Sequence, residues 1–257
     1  MTPLSAVIIT LNEADNIGRC LQSLASVTDE IIVVDSFSTD KTEAICKEHG
    51  VRFIQREWAG YSDSKNWANA QATHQYILSI DADEEVDDAL KNAILEARKT
   101  GLKGAYMLNR KTNYCGSWVR FGGWYPDRKV RIFDRREGKW EGEFVHETLT
   151  IDANISIQQL PGHLNHYSYH TLADHHERAV RYATLHAKKM HSVGKTAGKT
   201  RAYLSAFWKF VQTYFLKLGV LDGWAGWHIA RLSAKAVYLK YQKLIELQQN
   251  KTHAHNS

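Results

Sequence analysis

The sequence predicts an α/β protein: a doubly wound, mostly parallel sheet flanked by helices, followed by a helical extension. Three observations predict it. Short β-branched runs alternate with amphipathic helical periods through the first fifty residues. Asn12, Asp35 and Asp81 each stand just past such a run, on the edge where open α/β sheets bind ligands. After residue 171 the strand signals stop and long helical patterns take over.

Leu4 to Leu11 (LSAVIITL) is nearly all apolar with no turn residue, which predicts a buried parallel strand. Ile17, Cys20, Leu21 and Leu24 fall at i, i+3, i+4, i+7, the spacing of one helix face. Ile31 to Val34 is a second strand, ending in Asp35. The polar loop Ser36 to Asp40 leads to a helix over Thr42 to His49, which Gly50 caps. Val51 to Ile54 is a third strand. Right-handed crossovers then set the loops after these strands along one edge. Gly60 to Ala72 is a loop and helix carrying Lys65, and it feeds a strand over Tyr76 to Ile80. A helix from Asp87 places Leu90, Ala93, Ile94 and Ala97 on one face, and Ala105 to Arg110 is a further strand.

Between Tyr114 and Trp140 glycine, aromatic residues and arginine mix without a clean period, as in a loop lining an extended site. Lys129 to Asp134 and Ile155 to Leu160 are strand candidates. Helices follow from Leu172. The second carries the stripe Leu204, Phe207, Trp208, Val211, Phe215 and Leu218, and the third spans Trp224 to Gln249. The expected organisation is a catalytic or binding domain over 1–170, a helical region over 171–250, and a disordered tail over 251–257.

Composition narrows the function. With 44% hydrophobic and 24% charged residues, the 257-residue chain can bury a real core. A net charge of +5 is modest, and the basic and aromatic residues match no nucleic-acid recognition motif. Three cysteines without metal spacing suit reduced thiols in the cytosol. No signal sequence is evident, and no apolar run reaches the ~18 residues of a membrane span. The stripe from Leu204 to Leu218 either packs on the sheet domain or a partner helix, or lies in a membrane surface. The second case would make the protein cytoplasmic and peripheral on the inner membrane.

The chemistry centres on YILSIDADEE, residues 76–85. An extended backbone sends Asp81 and Asp83 to one side and Ala82 to the other. Two carboxylates so close repel unless a positive charge sits between them. A hard divalent cation, Mg²⁺ or Mn²⁺, meets that need. The alternative is an acidic loop opening a helix, since Asp87 and Asp88 continue the charge. Asp35 has the same two readings, and Lys65 is a binding residue or a solvated helix charge.

VIITLNE, IIVVDSFSTD, the lysine in DSKNWA, and SIDADEE come in one order over the first ninety residues. Together they resemble family 2 glycosyltransferases of the GT-A fold. GGWYPDRKVRIF, VHE, LNHYSY and LDGWAGW are similar to the lipopolysaccharide core subgroup, which adds a hexose, often glucose, to inner-core heptose. The resemblance implies inverting transfer from a UDP-sugar to a lipopolysaccharide core or similar glycolipid or oligosaccharide acceptor. It sets Thr10, Asn12 and Glu13 along the nucleotide, Asp35 at the uracil, and Lys65 near uracil or phosphate. Asp81, with Ala82, faces the ribose or reaches the metal through water, and Asp83 is the metal ligand. A later histidine completes the metal shell: His166, or His146. The base is an acid on a later loop, Glu-Asp in many members and here Glu147. Trp124, Tyr125, Asp127 and Arg128 hold the acceptor, or pack and form salt bridges.

Two rival functions make other demands on the sequence. A nucleotidyltransferase follows its first strand with a glycine-rich basic loop, whereas here no glycine occurs before Gly18. A non-catalytic sugar-nucleotide or lipid-surface binding module on a decayed fold loses the acid pair or the base, and both are present.

Overall fold

The structure, a computed structural model, describes the backbone of residues 1–142 and 147–255 and the side chains of those residues up to 249. The chain begins β1 (Leu4–Thr10), α1 (Ile17–Leu24), β2 (Glu30–Asp35), α2 (Thr42–Glu48), β3 (Arg52–Gln55) and α3 (Tyr61–Ala70). It continues through β4 (Tyr76–Asp81), β5 (Glu84–Val86), α4 (Asp88–Thr100), β6 (Ala105–Tyr114), β7 (Ser117–Trp118) and β8 (Asp127–Asp134). β9 (Gly138–Glu141) and β10 (Thr148–Ile151) form a separate hairpin, and β11 (Ile157–Tyr169) follows. Three helices end the chain: α5 (Leu172–Ser192), α6 (Lys199–Val211) and α7 (Gly223–His255).

Contacts divide the chain into two units, Met1–Lys111 with Asp127–Tyr167, and Thr112–Pro126 with Ser168–Ser257. In the first, the sheet runs β3-β2-β1-β4-β8-β6-β11-β5. β3, β2, β1 and β4 are parallel, the doubly wound half expected, while β8 joins β4 antiparallel. Register sets Thr10 beside Asp35 and Ile9 beside Asp81, so the polar strand ends share one edge. Side chains alternate between two cores. Leu4, Ala6 and Ile8 pack with Ile17, Leu21, Leu90 and Ile94 on one side. Val7, Ile32, Val34 and Ile77 pack with Ala68 and Phe133 on the other. Each fully buried Leu or Ile contributes about 1.5–3 kcal/mol, so this double-faced sheet is a firm base for its edge loops.

The second unit takes in residues 112–126 as well as the helices expected from 171. The reason is packing: Tyr114 and Val119 are buried against Ala225 and Ile229. Arg120 and Phe121 also donate backbone N–H groups to the Asp222 carboxylate. Thr171 and Asp174 form a reciprocal capping box that starts α5. α6 continues into a π-helical turn (Gln212–Leu216) and a 3-10 turn (Gly219–Asp222) before α7, which runs past Gln249 to His255. The stripe expected to pack or to meet a membrane is open to solvent: Leu204 is 63% and Phe207 67% exposed, and Trp208, Phe215 and Leu218 are exposed too. Among the described residues, no helix is long and apolar enough to cross a membrane.

Candidate active site

The site is built at the end of β4. After Asp81 the backbone does not stay extended. It turns at Ala82 and Asp83 and returns as β5, with Ala82 buried. β5 pairs antiparallel with β11, which puts His166 opposite Glu84, and the Tyr167 N–H donates to the Asp83 carbonyl at 2.9 Å. β11 reaches this position because Gly162 passes the first turn of α4 with φ +93°. A Cβ there would collide with the backbone of Leu90. His163, next to that glycine, meets Asp87 at 3.1 Å.

The two aspartates of the DAD turn have different surroundings. The Asp81 carboxylate accepts from the Arg131 guanidinium at 2.7 Å through Oδ2, and Lys65 Nζ lies 3.0 Å from Oδ1. Burial works against its charge, but Arg131 and then Lys65 outweigh that and hold its carboxyl well below the usual carboxylate range. Asp81 was expected to share a cation with Asp83 as a metal ligand. Instead both its oxygens face protein cations, which supply the positive charge that a metal was invoked to provide.

Arg131 itself is buried and bridges Asp81 to Glu84, which has no exposure at all. Glu84 accepts from Arg131 at 2.7 Å and from the Asp81 N–H at 3.0 Å, and Arg110 lies 3.4 Å away. Arg110 in turn grips Asp127 at 2.6 Å. A chain of alternating charges therefore runs from β4 through β8 to β6. In a dry interior such a network is stable only when every charge is paired. Sequence reasoning missed Arg131, Glu84 and Arg110. The signal was present as two arginines alternating with apolar residues on strands, because strand cations that cannot reach water need acids beside them.

Asp83 is placed differently. Its Oδ2 lies 3.2 Å from His166 Nε2, with both side chains mostly buried. His166 Nδ1 is buried with no hydrogen-bond partner among the described residues. A carboxylate oxygen beside an imidazole nitrogen is a donor set that suits a divalent cation, and Asp83 and His166 would hold one there. Among the described residues no group of three metal-ligating side chains occurs, so Asp81, Asp83 and His166 do not form the three-residue set expected from the sequence. His146, the other candidate, lies outside the described residues.

Lys65 links this turn to the candidate base. Its ammonium is 3.0 Å from Asp81 and 3.7 Å from Glu147, and it stands 4.4 Å over the Trp140 ring. Lys65 is only 5% exposed, so it is an interior tether and not a solvated helix charge. Its helix, α3, holds the β9–β10 hairpin through a reciprocal pair: the Asn66 amide donates to the Trp140 carbonyl and accepts from the Trp140 N–H, each at 2.8 Å. Ser62 adds a bond to the Gly142 carbonyl. Glu147, just before β10, is thereby registered against the DAD turn.

The first two loops interlock beside it. Asp35 is fully buried and accepts from both the N–H and the hydroxyl of Ser38. The Asn12 N–H donates to Ser38 Oγ, and the Thr39 N–H donates back to Asn12 Oδ1. The Glu13 N–H donates to Thr42. Thr10 is buried at the end of β1. Asp35 was expected to face a uracil ring. Here its oxygens shape the Ser36–Asp40 loop, because an Asp at a strand end can satisfy the turn that follows it.

The four acceptor candidates separate. Trp124 packs against Tyr114, Tyr169 and His175 in the second unit, where Tyr125 also belongs. Asp127 and Arg128 lie on β8 in the first unit, Asp127 taken up by Arg110 and Lys129, and Arg128 exposed. For Trp124 and Asp127, packing and ion pairing are the contacts seen.

The sequence model described as Glycosyl transferase family 2 matches residues 5–151. A glycosyltransferase of Rickettsia typhi is 27% identical over 257 residues, covering 96% of this chain and 88% of its own. The lipopolysaccharide core biosynthesis glycosyltransferase LpsC of Rhizobium meliloti is 28% identical over 267 residues, 93% of each chain. Among solved structures, S. aureus TarS 1–349 in complex with UDP is similar with a TM-score of 0.48 at 14% identity, covering 97% of this chain and 92% of its own. Glucosyl-3-phosphoglycerate synthase from Mycobacterium tuberculosis, with Mn²⁺, UDP and glucosyl-3-phosphoglycerate, gives 0.35 at 24% identity over 45% of each chain.

Proposed function

We propose, for a chain that belongs to glycosyl transferase family 2, the inverting transfer of a hexose, glucose by preference, from a UDP-sugar to an inner-core lipopolysaccharide or similar glycan acceptor. The observation that carries this reading is the division of labour at the β4 turn. Asp81 is neutralised by Arg131 and Lys65, while among the described residues Asp83 has His166 as its ion-pair partner, which supports a role for its carboxylate towards something that arrives with the substrate. Asp83 and His166 would hold a divalent cation, which would supply positive charge to a diphosphate leaving group.

The remaining work falls to the chain's own groups. The interlocked loops at Asn12 and Asp35 offer a rigid floor for the nucleotide, which supports a binding role for the surface they carry. Lys65 fixes the distance between the turn and Glu147. Glu147 takes the proton from the acceptor hydroxyl as that oxygen attacks the anomeric carbon from the face opposite the leaving UDP. Charge in the transition state is shared between an oxocarbenium-like sugar and the departing diphosphate, so positioned cations act where charge develops.

The acceptor class is supported by the similarity to LpsC. A lipid-linked acceptor gives meaning to the exposed stripe on α6, which we read as a peripheral contact with the cytoplasmic face of the inner membrane. The test is a panel of UDP-sugars incubated with Mn²⁺ or Mg²⁺, or with chelator, scoring UDP release. One donor should be turned over and chelator should abolish it. Release indifferent to chelator sinks the Asp83–His166 assignment, and release from no UDP-sugar sinks the donor.

A further inference from the structure

The turn between α5 and α6 opens a cavity of about 540 Å³ in the second unit, lined by Lys195, Thr196, Arg201, Lys240 and Tyr241 among others. Three cations meet there, and among the described residues none has a carboxylate partner. Surface lysines normally sit apart or beside acids, since like charges repel. Here they are collected around one buried ring: Tyr241 is 8% exposed, Lys240 Nζ lies 4.5 Å from its centroid, and the Arg201 guanidinium lies 5.6 Å away. Burial pushes the Tyr241 phenol up, but a hydrogen bond with Ser205, and after it the charges of Lys240 and Arg201, outweigh that and bring it below its usual range. α6 begins at this cavity with Gly198 as N-cap, no side-chain cap and no acid in its first turn, so its first N–H groups add positive potential.

The cavity is continuous in sequence and in helix face with the exposed apolar stripe. Arg201 precedes Leu204 by three residues and Trp208 by seven, which puts all three on one side of α6. Tyr203 lies tilted against Tyr238, about one turn before Tyr241, with ring centroids 5.2 Å apart. A helix lying in a bilayer surface buries its apolar face at the acyl boundary and lifts its cations to the phosphate level. We propose that Lys195, Arg201 and Lys240 form a binding site for the phosphate headgroup of an anionic lipid, seated where α6 meets the bilayer. The proposal rests on the membrane-surface reading given above and adds a specific headgroup pocket to it.

The experiment uses full-length protein and vesicles of phosphatidylcholine, alone or with phosphatidic acid. Three proteins are compared with wild type: Lys195→Gln/Arg201→Gln/Lys240→Gln, the charge-matched control Lys188→Gln/Lys217→Gln/Lys243→Gln, and Leu204→Gln/Phe207→Gln. If the pocket is real, the first variant loses roughly tenfold or more of the affinity for phosphatidic acid vesicles and the control loses clearly less, since diffuse attraction would weaken both alike. Equal losses overturn the pocket while leaving the membrane reading intact. Loss only in Leu204→Gln/Phe207→Gln does the same. If wild type binds no vesicles, the membrane reading and the lipid pocket fall together. Saturable binding of soluble glycerol 3-phosphate without vesicle binding reassigns the cations to a free phosphate and overturns the lipid source.

Discussion

Arg131 and Asp81 face each other 2.7 Å apart, and the same guanidinium nitrogen also reaches Glu84 at 2.7 Å. One buried cation thus serves the turn that carries the candidate metal ligand and the strand that backs it.

Replacing Arg131 with Met should be severe. Asp81 would keep Lys65, but Glu84, with no exposure, would be left with Arg110 at 3.4 Å. Breaking a buried pair by removing one partner costs about 3–5 kcal/mol. Urea unfolding should show a loss of that order, with a smaller loss for Arg131→Lys, which keeps the charge but not the geometry. A Met variant as stable as wild type would mean that the network is not dry. Because Asp81 titrates below its ordinary value, its contribution is present above the unfolded pKa of about 3.9 and fades as pH falls through the lower folded value.

Asp83 and His166 should behave as a pair. Asp83→Ala is expected to remove turnover and metal-dependent UDP binding together. His166→Ala should lower the apparent metal affinity by at least about 10–100-fold, the scale seen for losing even an outer-shell partner of a ligand. Titrating Mn²⁺ against UDP release for each variant checks this. Wild-type Mn²⁺ dependence in His166→Ala would move the second ligand to another residue.

Much of this arrangement was legible in the sequence. β1, β2 and β4 were readable because burial on both faces demands nearly unbroken apolar runs. Asp83 was visible because acid directly after such a run is unusual. The role of Asp81 was not, since its partners Lys65 and Arg131 come from α3 and β8, and no local pattern reports a contact across fifty residues. The bonds that Asp35 makes to its own turn were hidden for a related reason. A carboxylate at a strand end looks the same in sequence whether or not the turn after it takes up its oxygens, as Ser38 does here. The segment 112–126 gave no period because it packs by single aromatic anchors, Tyr114 and Trp124, and not by a repeating face.

Glu147→Gln tests the base. Removing a general base typically costs about 10²–10⁴-fold in rate, while UDP-sugar affinity should stay within about twofold, because the amide is isosteric and Lys65 keeps Asp81. Single-turnover transfer and donor binding measured on the same variant separate the two effects. Unchanged transfer would remove Glu147 from the chemistry.

A final prediction concerns the second unit. His175 Nδ1 and the Tyr114 hydroxyl share a hydrogen bond at 2.7 Å, and the ring lies against Tyr114, Tyr169 and Trp124. Burial, helped by Arg178 and His176, lowers its pKa from 6.5 to about 4. The folded state therefore holds the ring neutral where the unfolded chain would protonate it. Between those two values the unfolded state binds more protons, so stability rises with pH and is lost as pH falls from about 6.5 towards 4. By pH 5 the loss is about 2 kcal/mol, and it levels off below the folded value. Hydrogen exchange along α5, followed from pH 7.5 to pH 5 and corrected for intrinsic rates, should report that loss. His175→Gln, which can still accept from Tyr114 but does not titrate, should flatten the dependence. If the variant keeps the full pH slope, another group carries it.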